Sequence, residues 1–295
     1  MTDTKMKSLG RVFLFAAAFL WGTSFVVMKN LLSNISPLYI LSFRFCGAAV
    51  LLLPACAGKL KRFDRHYLAG GAMMGVALLL GYIFQTYGLR GTTPGKNAFL
   101  TSVYCVVAPF FQWALAKKRP DKFNVAAAAV CIAGIGLISL EGELSIGIGD
   151  ALSMSCGIFF ALHIVVSAKS VSGRDPMMLA ILQFATAGVL SLISAFIFEE
   201  PPVNMAAGDI QGVIFLTVVC TAGCFVFQVF GQKYTPPSQA AVILTLESVF
   251  GAVVSVIFFH EVLTVQLTVG FALAFIAVII SETKLEFLMR LKERK

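Results

Sequence analysis

The chain alternates between long apolar runs and short polar gaps. Crossing ~30 Å of hydrocarbon at ~1.5 Å per residue takes about 20 residues. Runs of that length fall at 11–32, 37–57, 67–89, 96–116, 123–140, 149–169, 177–198, 210–232, 238–259 and 264–282. The pattern predicts ten membrane-spanning helices. Pro37, Pro94, Pro120, Pro176, Pro201, Pro202, Pro236 and Pro237 lie in the gaps or at predicted helix starts, where a missing N–H costs little. Pro109 lies inside the fourth run and predicts a kink there. The first run follows a basic N-terminus, but it is too long for a signal peptide. It therefore reads as a retained helix.

Composition agrees. Of the 295 residues, 58% are hydrophobic and 13% charged, against roughly 25% charged in a soluble domain. The net charge of +8 invites a nucleic-acid partner, but the basic residues gather on no soluble face, and that reading is excluded. Apart from Lys29, Arg44, Arg90 and Lys96, all 23 basic residues fall in gaps and tails that an even number of spans puts on one side. Glu141, Glu143, Asp150, Glu199, Glu200 and Asp209 fall on the other side. The positive-inside rule then puts both termini in the cytoplasm. Short loops and tails suggest a multi-pass protein of a bacterial inner membrane, with the lipid bilayer as its first partner. The seven cysteines all lie in apolar runs, without a CxxC or a histidine at zinc spacing, and read as packing residues. No metal or cofactor is expected.

The ten spans divide into two fives. Pro37 precedes Arg44-Phe45 by the same interval that separates Pro176 from Gln183-Phe184. Phe84-Gln85 with Gly88 matches Phe227-Gln228 with Gly231, and Pro94 and Pro237 follow these glycines at equal distance. Three shared features in one order indicate a duplication, with a first repeat over residues 1–141 and a second over 142–295. Five is odd, so the second repeat must cross the membrane upside down. Secondary transporters built this way bind substrate near mid-membrane, between the halves.

Ionisable groups at bilayer depth cost roughly +2.5 to +3.5 kcal/mol each, so each needs a reason. Glu247 sits near the middle of the ninth span. It could bind an amine or exchange protons, or it could pair with a buried base to lock two helices. Asn97, Thr101, Tyr104, Ala108 and Gln112 recur at helical spacing on the fourth span and predict a face that lines a cavity or a helix contact. The repeat sets Tyr104 opposite Glu247. Arg44 could hold a substrate carboxylate through its planar fork, or satisfy carbonyls or Glu261 at the rim. Gln85 and Gln228 occupy matching sites and could bond a solute or a neighbouring helix. His163 could relay protons or pack through a hydrogen bond. Trp21 and Tyr82 could stack on a solute or serve packing. Gly134 and Gly136 in the fifth span allow a close helix approach, within the chain or in a homodimer.

Leu20-Trp21-Gly22-Thr23-Ser24-Phe25-Val26 with Lys29 resembles the first helix of EamA-type members of the drug/metabolite transporter superfamily. Arg44, Glu247-Ser248-Val249-Phe250 and His260-Glu261-Val262-Leu263-Thr264 extend the resemblance over both halves. It implies proton-coupled or passive exchange of small metabolites, often amino acids or related compounds and often export. The chain departs from the family where Ser248 replaces a frequent proline, and where Lys118 stands opposite Glu261 in place of a frequent glutamate. An intramembrane enzyme would need paired aspartates, a Ser/His pair or an HExxH helix. Apart from Asp150 at the edge of the sixth run no aspartate lies in a span, and the histidines are His66, His163 and His260. There is no P-loop. A secondary transporter with alternating access is the reading that follows. A passive channel or a scaffold that moves nothing is the alternative.

Overall fold

A computed structural model of the chain describes residues 3–62, 64–117, 119–140, 146–235 and 237–284. Lys118, Glu141, Glu143 and the basic residues after Lys284 lie outside them. Among the described residues there is no strand. The helices are α1 (Asp3–Leu31), α2 (Pro37–Leu52), α3 (Arg65–Arg90), α4 (Pro94–Thr101), α5 (Tyr104–Ala116), α6 (Lys122–Ser139), α7 (Ile148–Val171), α8 (Pro176–Phe198), α9 (Ala207–Ile214), α10 (Cys224–Tyr234), α11 (Pro237–Phe259) and α12 (Val265–Thr283). A 3-10 helix, Leu53–Arg62, continues α2, and a π-helical stretch, Phe215–Gly223, joins α9 to α10. Among the described residues, nine helical spans are long and apolar enough to cross a membrane, and Val265–Ser281 is a shorter apolar helix. The protein is thus an all-α membrane protein of ten spans.

The matched prolines Pro37, Pro176, Pro94 and Pro237 each open a helix, at α2, α8, α4 and α11. Proline fits there because the first N–H of a helix has no partner to lose. Pro109 lies inside α5 and cannot bond the carbonyl of Cys105 one turn earlier. Ser281 Oγ donates to that carbonyl at 3.1 Å, so the freed acceptor is satisfied within the bilayer. The fourth span is also interrupted earlier than the proline predicts. Ser102 and Val103 form a turn, and the N–H groups of Cys105 and Val106 bond back only three residues, to Ser102 and Val103.

The spans associate mostly across the two halves. The tightest pairings are α3 with α7, α6 with α12, α1 with α11, and α2 with α8. The N–H groups that start α2, at Leu38 and Tyr39, donate to Glu199 at the end of α8. Deeper in, Gly188 of α8 lies against Cys46 of α2. The repeat-matched helices α2 and α8 therefore run antiparallel. The same holds for α4 and α11, through Gly95 with Glu261 and Ala98 with Gly251. It holds again for α6 and α12, through Gly134 with Ala274 and Ile138 with Gly270. An antiparallel match at three of the five equivalent pairs is the geometry of two inverted five-helix repeats. Gly134 is thus spent on α12 inside the chain, while Gly136 meets nothing within 4 Å.

Candidate functional site

The helix pairs close around one cavity of about 620 Å³, a size suited to a small-molecule ligand. Each repeat-matched polar pair reaches it. Arg44 of α2 and Gln183 of α8 line it, as do Gln85 of α3 and Gln228 of α10, and Tyr104 of α5 and Glu247 of α11. The backbone is pseudo-symmetric, but the side chains are not. Arginine faces glutamine, and tyrosine faces glutamate, so the cavity holds one cation and one anion on different helices.

Arg44 is only 2% exposed. Its Nε donates to Thr221 Oγ1 at 2.5 Å and its Nη2 to Tyr82 OH at 3.2 Å. The guanidinium carbon lies 4.7 Å from the centre of the Tyr82 ring. Both hydrogen-bond partners are neutral, and Glu261 is not among them. The π-helical stretch supplies Thr221, whose own hydroxyl donates to Leu216 at 2.7 Å, five residues back. The same stretch presents the Cys220 carbonyl, which accepts from Trp21 Nε1 at 2.7 Å. Among the described residues no ion pair joins Arg44 to Glu247, and no hydrogen bond reaches the Glu247 side chain. The position of Glu247 is fixed through its backbone. A Cβ on Gly22 of α1 would come within 2.9 Å of the Glu247 carbonyl and 2.5 Å of Phe250 Cβ, so α1 and α11 meet only because residue 22 has no side chain.

The other sequence candidates divide. Trp21, Thr101 and His163 line the cavity. Thr101 Oγ1 accepts from Gln85 Nε2 at 3.1 Å. His163 Nε2 lies 2.9 Å from Gln183 Oε1 and 3.2 Å from Ser167 Oγ. Asn97 is the exception. It is fully buried, and its Nδ2 donates to the Gln85 carbonyl and to Ser153 Oγ. It ties α4 to α3 and α7 and does not line the cavity. The break at Ser102 and Val103 turns the end of the fourth span away from the helical face drawn on the sequence, and Gln112 is exposed. Sequence reasoning passed over Gln183, Thr221 and Cys220 as site residues. Gln183 was legible as the repeat partner of Arg44. Thr221 was not, because only the π turn brings it to the guanidinium.

The cavity reaches one face of the molecule. Its lining includes Gln232, exposed near the end of α10 on the face where α1 begins. The opposite face is bridged by acidic side chains of the second repeat. Glu199 accepts from Leu38 and Tyr39 N–H and, at 2.6 Å, from Tyr87 OH. Glu261 accepts from Thr93 Oγ1, from Gly95 N–H at 3.2 Å and from Ser255 Oγ at 2.5 Å. Asp209 accepts from Asn34 at 3.0 Å, and Asp150 from Thr92. Carboxylates at the starts of α2 and α4 also complement the positive helix ends. Lys29 Nζ complements the opposite end of α3, donating to the carbonyls of Leu89, Arg90 and Thr92.

Comparison with known proteins gives the same picture. The model of the EamA-like transporter family matches residues 8–140 and again 147–283. A protein of Archaeoglobus fulgidus named an uncharacterized transporter is 35% identical over 263 residues, covering 89% of this chain and 82% of its own. The uncharacterized transporter YvbV of Bacillus subtilis is 27% identical over 276 residues, covering 90% and 88%. A crystal structure superposes with a TM-score of 0.68 at 16% identity, over 95% of this chain and 99% of the other. That likeness is one of fold.

Proposed function

We propose, since this chain belongs to the EamA-like transporter family, that it is a secondary transporter working by alternating access on small zwitterionic metabolites such as amino acids or related compounds. The carrying observation is the pair of opposite charges in one cavity. Arg44 spends two N–H donors on neutral hydroxyls and keeps the others for a ligand. Among the described residues Glu247 has no hydrogen-bond partner for its side chain. A solute with a carboxylate for the first and an ammonium for the second satisfies both. Aromatic walls at Trp21, Tyr82 and Phe160 suit an apolar remainder.

The two repeats, 1–141 and 142–295, are the rocking units in this reading. The cavity opens on the face of the N-terminus, which the basic residues assign to the cytoplasm of a cell membrane. Loading from that side and release on the other makes the protein an exporter, and Glu247 is the group through which protons are coupled. Membership of a transporter family supports transport as the use of this cavity.

The test is counterflow in proteoliposomes with a panel of amino acids, amines and carboxylates, with and without a pH gradient. Saturable exchange of zwitterions is expected. Arg44→Gln should weaken the carboxylate-bearing solutes and Glu247→Gln the amine-bearing ones. A conductance without saturation would identify a channel, and unchanged flux in both variants would refute the site.

A further inference from the structure

Beside the main cavity lies a second, much smaller pocket of about 10 Å³. It sits between the broken fourth span and α11. Ala98, Thr101, Ser102, Tyr104, Leu244, Thr245, Glu247 and Ser248 line it. Glu247 borders both spaces. About 10–15 Å³ is the room that one water-sized occupant needs.

The chemistry of its walls is one-sided. Ser102 Oγ donates to the Phe99 carbonyl at 2.7 Å. Thr245 Oγ1 donates to Val242 at 2.8 Å, and Ser248 Oγ to Thr245 at 2.9 Å. The hydroxyl hydrogens are thus committed to backbone carbonyls, and what these oxygens have left to offer is lone pairs. Ser102, Thr245 and Ser248 are all buried. The C-terminal end of α4, at Thr101 and Ser102, also borders the pocket and brings the negative pole of that half-helix. Broken helices of this kind hold coupling cations in inverted-repeat transporters.

We propose that this pocket binds one small monovalent cation of sodium size, with Glu247 supplying the charge and the oxygens of Ser102, Thr245 and Ser248 the neutral ligands. Hard cations take oxygen donors of this kind. A single carboxylate balances a single positive charge. Among the described residues no group of three or more His, Cys, Asp or Glu side chains could hold a metal ion, which argues against a divalent ion. The narrow space favours sodium or lithium over potassium. The cation joins α4 of the first repeat to α11 of the second. Because Glu247 stands between the two spaces, an occupant of the small pocket changes the charge that the main cavity presents. This last consequence rests on the transport reading, whereas the binding itself does not.

The experiment is equilibrium binding of radioactive sodium to the purified full-length chain in detergent, with no solute present. Saturable binding of one ion per chain is expected, displaced by lithium and poorly by potassium or choline. Ser248→Ala and Thr245→Val remove one pocket oxygen each and should weaken binding by about tenfold or more. Glu247→Gln should abolish it, while Arg44→Gln, outside the pocket, should not reduce it. Ser248 bonds only its own helix, so Ser248→Ala should keep the wild-type elution profile and melting temperature. Absence of saturable binding, a pocket that takes water only, or binding indifferent to Ser248→Ala and Glu247→Gln would each overturn the proposal. Counterflow of solutes would remain in every such case, which separates this failure from failure of the transport reading.

Discussion

Two residues that look alike in sequence, polar and deep in a span, do different work. Asn97 holds three helices together through its Nδ2 and does not line the cavity. Asn97→Ala strips a partner from buried groups, which costs roughly 1–3 kcal/mol. The expected result is a lower melting temperature in detergent with the apparent KM of counterflow unchanged in the protein that remains folded. A raised KM would return Asn97 to the binding site. Thr221 has the opposite character, since its oxygen takes Arg44 Nε. Thr221→Val should loosen the guanidinium and raise the KM for carboxylate-bearing solutes, and Thr221→Ser should restore it. Glu247, Arg44, Tyr104 and the two glutamines were legible in the sequence because charge and duplication mark them. Asn97 shares the unbroken α4 with the cavity-lining Thr101 but sits one turn nearer the helix start, where it bonds α3 and α7 instead. Helical spacing does not reveal that packing, and Thr221 was missed because a π turn leaves no pattern in hydropathy.

At the scale of elements, the spans were legible because the bilayer sets their length and prolines mark their starts. The break before α5 was not legible as such, since Pro109 marks a kink one turn later than the turn at Ser102 and Val103. Between spans, ordinary capping applies. Asp121 caps α6 through the N–H groups of Phe123 and Asn124 and pairs with Lys284 at 2.6 Å, beyond the end of α12. The Lys284 ammonium first, and those N–H groups with it, hold its carboxyl below the usual carboxylate range. A depressed value in the fold means stability that is present above the unfolded value and is lost as pH falls through the folded one. Asp121→Ala should therefore cost about 1 kcal/mol near neutrality, mostly as a lost cap, because the pair is largely exposed. The difference from wild type should shrink as pH drops below about 4. A melting-temperature difference that stays constant well below that pH, where the carboxyl is protonated in wild type too, would show that the ionised form is not what stabilises α6.

At the scale of the molecule, the two faces differ in how the repeats are tied. On the face away from the N-terminus, Glu199, Glu261, Asp209 and Asp150 of the second repeat all accept from groups of the first. Glu199 and Glu261 bear most of this, Glu199 with three donors from the first repeat and Glu261 with two, beside Ser255 of its own repeat. Hydrogen bonds to charged groups contribute about 1.5–3 kcal/mol each, and every 1.4 kcal/mol shifts an equilibrium about tenfold. Removing both side chains should therefore let that face open far more often. Gln228 lines the cavity and is partly exposed, which makes Gln228→Cys a reporter. In a background whose native cysteines are replaced, an impermeant maleimide should reach the introduced thiol from the N-terminal face and hardly from the other. In the double variant Glu199→Ala with Glu261→Ala, labelling from the far face should rise at least about tenfold, while labelling from the N-terminal face falls. Equal far-face labelling in both proteins would mean that apolar packing, and not these carboxylates, keeps the far side shut.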